Sequence, residues 1–231
     1  MTVSLLGQGL YSVADAARLT GATTSRIRRW LRGYRYSHDA RQFEQPAVWT
    51  SKIPRIDGRL TLSFNDLMEV RFVQAFRELG ISLQKIRRAV AELQRMTQSD
   101  YPFSQRRVVT DGAELFAVLE DAEGNPLLLE LTEARNFAFY SVIYPMLQRG
   151  LIFDERGRVE RWYPDIDRFS HIELNPRVCF GHPVVEGTRI QPQFLARALQ
   201  IERSIERVAD WYEIDPALVE QAAEFNRQYL M

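Results

Sequence analysis

The stretch YSVADAARLTGATTSRIRRWLRGYRY, Tyr11 to Tyr36, constrains this chain more than any other. It reads as two short helices joined by a tight turn. Val13, Ala16, Ala17 and Leu19 can line one apolar face of the first helix. Gly21 supplies the left-handed residue that a sharp turn needs, and Thr23 or Thr24 can cap the second helix by accepting a backbone N–H. In that second helix Ile27, Trp30 and Leu31 form one buried stripe, which leaves Arg26, Arg28, Arg29 and Arg32 on the remaining surface. Five arginines fall between Arg26 and Arg35 with no acid among them. A short capped helix with an arginine-covered outer face suits the DNA major groove, because arginine binds guanine edges bidentately and also clamps phosphates. Thr23, Thr24, Ser25, Arg26, Arg28, Arg29, Arg32, Tyr34 and Arg35 are therefore candidate DNA contacts. The alternative is an ordinary helical hairpin with a solvated arginine face.

The charge distribution agrees with a polyanion partner at the front of the chain. The net charge of zero hides a split: residues 1–99 hold 16 Lys+Arg against 8 Asp+Glu, and residues 100–231 hold 14 against 22. The length of 231 residues allows one large or two to three small domains, and 45% hydrophobic residues can fill real cores. A single cysteine, Cys179, excludes an internal disulfide framework and fits a reducing compartment. No apolar run is long enough for a membrane helix, and MTVSLLGQG lacks the marks of a signal peptide. A cytoplasmic protein without membrane association is the expectation.

After the second helix, residues 33–62 read as a long hairpin. AVWTSKIP is strand-like, Asp57-Gly58 is a turn signal, and RLTLSF returns. Lys52, Arg55 and Arg59 cluster near its tip and are candidate phosphate contacts. The segment between Gly33 and Pro46 is polar and aromatic and has no assigned role. Ser63 and Asp66 form a near capping box for a helix carrying Phe64, Leu67, Val70, Val73 and Phe76. Gly80 ends that helix, and Ser82 caps the next, with Leu83, Ile86, Val90 and Leu93 on one side. The pattern stops near Met96, where SDYPFS follows.

YSVADAARLTGATTSRIRRW resembles the opening of MerR-type winged helix-turn-helix regulators, and LGISLQKIRRAV resembles the helices that follow the wing in that family. The resemblance covers about residues 9–96. It implies that the hairpin tip touches the DNA backbone or minor groove. The long dimerisation coiled coil usual in that family is absent here, so dimerisation must come from elsewhere.

Residues 101–168 read as a small α+β unit. QRRVVTDG, ELFAVLED and PLLLEL are strand-like, Thr132 can cap a helix through Leu147 that Pro145 shortens, and GLIFDERGRVERWYP reads as a further hairpin. Beyond Phe169, Gly181-His182-Pro183 and Glu186-Gly187-Thr188 read as tight turns bracketing the short strand Val184-Val185, with Gly187 at positive φ. Arg189 could tie that turn to a carboxylate. Three helices follow: about 193–200, one capped by Ser204, and one capped by Asp215 with Pro216 in its first position. These three could themselves form a helix-turn-helix, but the last carries more acid than base, which favours protein over DNA contact.

The run from Phe169, with His171, Pro176, Cys179, Gly181, Pro183, Gly187, Thr188, Arg189 and Ile190 in place, is similar to a small bacterial antitoxin-like domain that often occurs beside toxins of the PIN-ribonuclease class. The two resemblances in one chain resemble the larger VapB-type antitoxins. They imply an α+β, mainly helical fold with a winged helix-turn-helix at 1–98, a small α+β unit at 101–168 and a three-helix domain at 169–231 behind a short strand-and-turn lead-in. They also imply an operator-binding autorepressor that neutralises a PIN-type ribonuclease toxin, working as a homodimer or a higher toxin–antitoxin assembly, with Arg189, Arg227 and Tyr229 as candidate toxin contacts. The alternative is a MerR-type regulator that senses a ligand in the 101–168 unit and has no toxin partner. His171, Cys179 and His182 are the only residues that suggest a metal or thiol–imidazole site, and no third group orients them. Neither catalysis nor a cofactor is expected.

Overall fold

The computed structural model describes residues 5–38, 41–104 and 148–231. The fold is α+β and mainly helical. β1 (Tyr11–Ser12) leads directly into α1 (Val13–Thr20), and α2 (Thr24–Arg32) follows. Ser12 and Asp15 form a full capping box at the start of α1. Gly21 ends α1 in the left-handed region at φ 73°, which turns the chain sharply without a Cβ penalty. Of the two threonines, Thr23 is the cap of α2: its hydroxyl accepts from Arg26 N. Ile27, Trp30 and Leu31 are buried, as their spacing requires.

The hairpin expected between AVWTSKIP and RLTLSF does not form. Around Asp57-Gly58 the pairing shrinks to one isolated bridge, Ile56 to Arg59. β4 (Thr61–Leu62) pairs instead with β1, Tyr11 opposite Leu62. The physical reason lies in Val48 and Trp49, which are spent on the helices rather than on a ladder. Val48 N donates to the carbonyl of Trp30 at 2.7 Å, and the Trp49 indole N–H donates to Asp66 Oδ1 at 2.9 Å. The regular hairpin lies in the unassigned segment: β2 (Tyr34–His38) pairs antiparallel with β3 (Arg41–Gln45). Tyr36 and Phe43 face each other there and stack at 5.3 Å.

α3 (Phe64–Glu78) and α4 (Leu83–Thr97) begin at the expected caps, Ser63 with Asp66 as a capping box and Ser82. Asp66 also ties down the preceding loop. Besides the Trp49 indole it accepts from Ser51 Oγ, Ser63 N and Ser63 Oγ. After α4 a short 3-10 turn, Pro102–Ser104, returns across α3. Phe103 packs edge-on to Phe76, and Ser104 donates both N and Oγ to buried Glu69.

The strands at QRRVVTDG, ELFAVLED and PLLLEL and the helix from Thr132 lie outside the described residues. The hairpin read in GLIFDERGRVERWYP is present as β5 (Leu151–Phe153) and β6 (Val159–Trp162), with a register shift after Ile152. Trp162 and Leu174 exchange backbone hydrogen bonds, which brings β6 against β7 (Ile172–Glu173). β7 pairs with β8 (Val184–Val185), and Gly187 turns the chain at φ 74°. α5 (Pro192–Glu202), α6 (Ile205–Tyr212) and α7 (Pro216–Tyr229) complete the chain, with caps at Ser204 and Asp215. One continuous apolar core runs through both halves and includes Leu67, Phe103, Trp162, Leu195 and Phe225.

Arg189 does not tie its turn to a carboxylate: its side chain is exposed and has no ion pair among the described residues. The Thr188 hydroxyl donates to Val185 O instead. The nearby acid Glu186 is held by Tyr163 Oη at 2.7 Å, and Arg161 bridges Glu173 and Glu186.

Candidate nucleic-acid interface

The interface is built on α2, which is fixed at both ends. Thr23 satisfies its first turn, and its apolar stripe is buried in the core. What remains outward is Ser25, Arg26, Arg28, Arg29 and Arg32, all exposed. Among the described residues none of these four arginines has a carboxylate partner, so their charge stays available to an anion. To meet a phosphate they do not first have to break an internal ion pair.

The β2–β3 hairpin rises beside this helix. Arg29 lies over the Tyr34 ring at 5.4 Å and Arg87 over the same ring at 6.0 Å, so Tyr34 is a spacer between two cations rather than a free contact. Arg35 pairs with Glu44 across the hairpin at 3.4 Å, and both are well exposed. Arg55 and Arg59 are exposed beside the Asp57-Gly58 turn. Lys52 is engaged: its ammonium pairs with Asp100.

Residues beyond the expected set join the same face. Arg77, Ser82, Gln84 and Arg87 line a cleft of about 450 Å3 together with Arg26, Arg29, Trp30, Tyr34 and Gln45. Arg77 donates to the carbonyl of Ile81, and Arg87 donates to Pro46 O and Gln45 Oε1. Among the described residues Arg87 Nη2 is buried without a hydrogen-bond partner. The sequence signal for this group was weak, because the arginines come from α3 and α4 and their convergence depends on how those helices meet α2.

The candidate toxin contacts are not brought together with this face. Arg189 and Arg227 are exposed. Tyr229 is half-buried, 4.8 Å from the Phe225 ring and 6.1 Å from that of Phe169. Burial raises the Tyr229 phenol, with nearby Asp165 adding to the effect. His171 lies 3.7 Å from Glu186, Cys179 Sγ donates to the carbonyl of Arg189, and His182 is exposed. Among the described residues no group of three His, Cys, Asp or Glu could hold a metal ion, and no helix is long and apolar enough to cross a membrane.

Comparison with known proteins places family matches on both ends of this arrangement. Residues 9–90 match a family described as "Putative DNA-binding HTH domain", and residues 172–225 match one described as "Protein of unknown function (DUF433)". The chain is 24% identical over 227 residues to "Putative antitoxin VapB45" of Mycobacterium tuberculosis, covering 93% of this chain and 92% of that protein. The crystal structure of Rv2018 from Mycobacterium tuberculosis has the same fold, with a TM-score of 0.69 at 19% identity over 96% of this chain and 98% of the other. The chain thus carries a helix-turn-helix of DNA-binding type at its front and a DUF433-like segment at its rear, and it is similar along most of its length to a protein named as an antitoxin.

Proposed function

We propose that this protein is a DNA-binding antitoxin that represses its own operon. α2 enters the major groove, the β2–β3 hairpin serves as a MerR-like wing, and the rear of the chain grips a toxin of the PIN-ribonuclease type. The observation that carries the DNA half is the set of four exposed arginines on α2 with no internal carboxylate partner among the described residues. The similarity to VapB45 supports the toxin half. Arg28, Arg29 and Arg32 lie on one side of α2 with Ser25, at the spacing with which a helix follows base edges and phosphates. Two copies on a two-fold operator would read half-sites about 34 Å apart. In this reading the division at 1–98, 101–168 and 169–231 separates DNA contact from toxin contact, and Arg189, Arg227 and Tyr229 face the toxin in a cytoplasmic complex.

The DNA half is tested by gel shift with the promoter region of the protein's own gene, at two salt concentrations. Specific retention that weakens steeply with salt supports it; identical retention of an unrelated duplex removes it. The toxin half is tested by co-expression with a neighbouring gene of PIN type. A co-purifying complex and restored growth support it, and toxicity unchanged by this protein removes it.

A further inference from the structure

The β2–β3 hairpin carries an aromatic pair that the fold does not cover. Tyr36 and Phe43 sit opposite each other in the register, with their rings 5.3 Å apart and 19° from parallel, and each residue is 41% exposed. Neither belongs to the apolar core. The cross-strand contact accounts for one side of each ring and leaves the rest in water. Two large exposed rings side by side are a feature of surfaces that meet a partner.

Charge and position decide which partner fits. The antiparallel register puts Tyr34, Tyr36, Arg41, Phe43 and Gln45 on one face of the hairpin. Glu44, the only acid in the two strands, is on the opposite face and pairs with Arg35. The aromatic face is continuous with α2: Arg29 lies 5.4 Å from the Tyr34 ring, and Tyr34 lies 6.0 Å from Tyr36. At the other end Arg41 is exposed and has no ion-pair partner among the described residues. Rings bracketed by cations, with no carboxylate between them, match a polyanion whose bases offer flat apolar faces.

We propose that Tyr36 and Phe43 are a wedge that enters a base step from the minor groove, beside the α2 contact, and unstacks it. This rests on the reading that α2 lies in the major groove, and it goes beyond a wing that only touches phosphates. The nearly parallel rings continue the base stack where the step has opened. A step opens most readily at pyrimidine–purine sequences such as TA and CA, so the wedge reads sequence through deformability and needs no hydrogen bond to a base edge. The duplex kinks toward its major groove, the side on which α2 lies.

The test uses the full chain and the promoter region of its own gene. Permanganate reactivity of unstacked thymines, circular-permutation mobility and gel shift are read on the same complexes. TA and CA steps each place a thymine in the opened step. Wild type makes thymines at one edge of the site hyperreactive and bends the fragment by at least about 20°. Tyr36→Thr with Phe43→Thr keeps a β-branched cross-strand pair and with it the hairpin. This variant loses both signals and at least about fivefold in affinity, while specific retention through the α2 arginines remains. Tyr36→Leu with Phe43→Leu keeps an apolar wedge and both signals. Wild type that retains the fragment without bending or reactivity overturns the wedge and leaves the DNA reading standing. Wild type that does not retain the fragment overturns both. A Thr pair that bends and opens the DNA as wild type does overturns the wedge, whether or not it has lost a co-expressed toxin. So does a Leu pair that behaves like the Thr pair.

Discussion

The phenol of Tyr11 donates a 2.6 Å hydrogen bond to the carbonyl of Gly181, across the seam between the front helix pair and the rear unit. Leu10 N donates to the carbonyl of Phe180 beside it at 2.8 Å. Tyr11 is 1% exposed, and burial raises its phenol well above the ordinary tyrosine range. Gly181 sits at φ 84°, and a Cβ there would run into the Tyr11 hydroxyl. Tyr11→Phe strands a buried carbonyl and should cost about 1–3 kcal/mol of unfolding free energy. Gly181→Ala should cost more than Tyr11→Phe, because it adds backbone strain to the clash. Urea denaturation of the three proteins checks the order; a Gly181→Ala chain as stable as wild type would show that the seam is not tightly packed.

Glu69 predicts a pH dependence of stability. Burial pushes its carboxyl up to about 8 against an unfolded value of 4.5; nearby Asp66 raises it further, and the hydrogen bonds from Ser104 oppose both. The folded protein therefore keeps a proton that the unfolded chain releases. This contribution is fully present below about 4.5 and is lost as pH rises toward about 8. Glu69→Gln should flatten that slope and raise the melting temperature most at the alkaline end of the window. Thermal melts at several pH values check this, and parallel curves for the two proteins would refute it.

The α2 arginines and Lys52 should behave differently on DNA. Arg28→Ala or Arg29→Ala should cost about 1–3 kcal/mol if either reads a guanine. Arg32→Ala or Arg59→Ala should weaken all sequences alike and reduce the salt slope by about one unit each. Lys52→Ala should change binding less, because the ammonium must leave Asp100 before it reaches a phosphate. Titrations against specific and random duplexes at two salt concentrations separate these outcomes. Equal losses for Lys52 and Arg59 would mean that the Lys52–Asp100 pair opens freely.

Trp49 holds the loop that replaces the expected hairpin. Trp49→Phe removes one of the four donors on buried Asp66 and should cost about 1–3 kcal/mol. Asp66→Ala strands all four and removes a helix cap as well, so it should cost more. Calorimetry on both variants ranks them; an Asp66→Ala chain no less stable than Trp49→Phe would show that the network is not cooperative.

The sequence by itself determined what is settled within a few residues. Ser63, Ser82, Ser204 and Asp215 each cap the helix they were expected to cap, and Thr23 does so from the Thr23–Thr24 pair, because a cap bond spans only two or three residues. The exposed arginine face of α2 was legible for the same reason: a 3.6-residue period sends Ile27, Trp30 and Leu31 inward and the arginines outward. The position of the hairpin was not legible. AVWTSKIP and Asp57-Gly58 had the better local signal, but Trp30 and Asp66 capture Val48 and Trp49 from across the fold, which leaves pairing to Tyr34–Gln45. The cleft of Arg77 and Arg87, the Lys52–Asp100 pair and the Tyr11–Gly181 seam likewise join residues far apart in the chain. Only the tertiary structure decided them, because their energy depends on which surfaces packing brings within a few ångströms, and no local pattern records that.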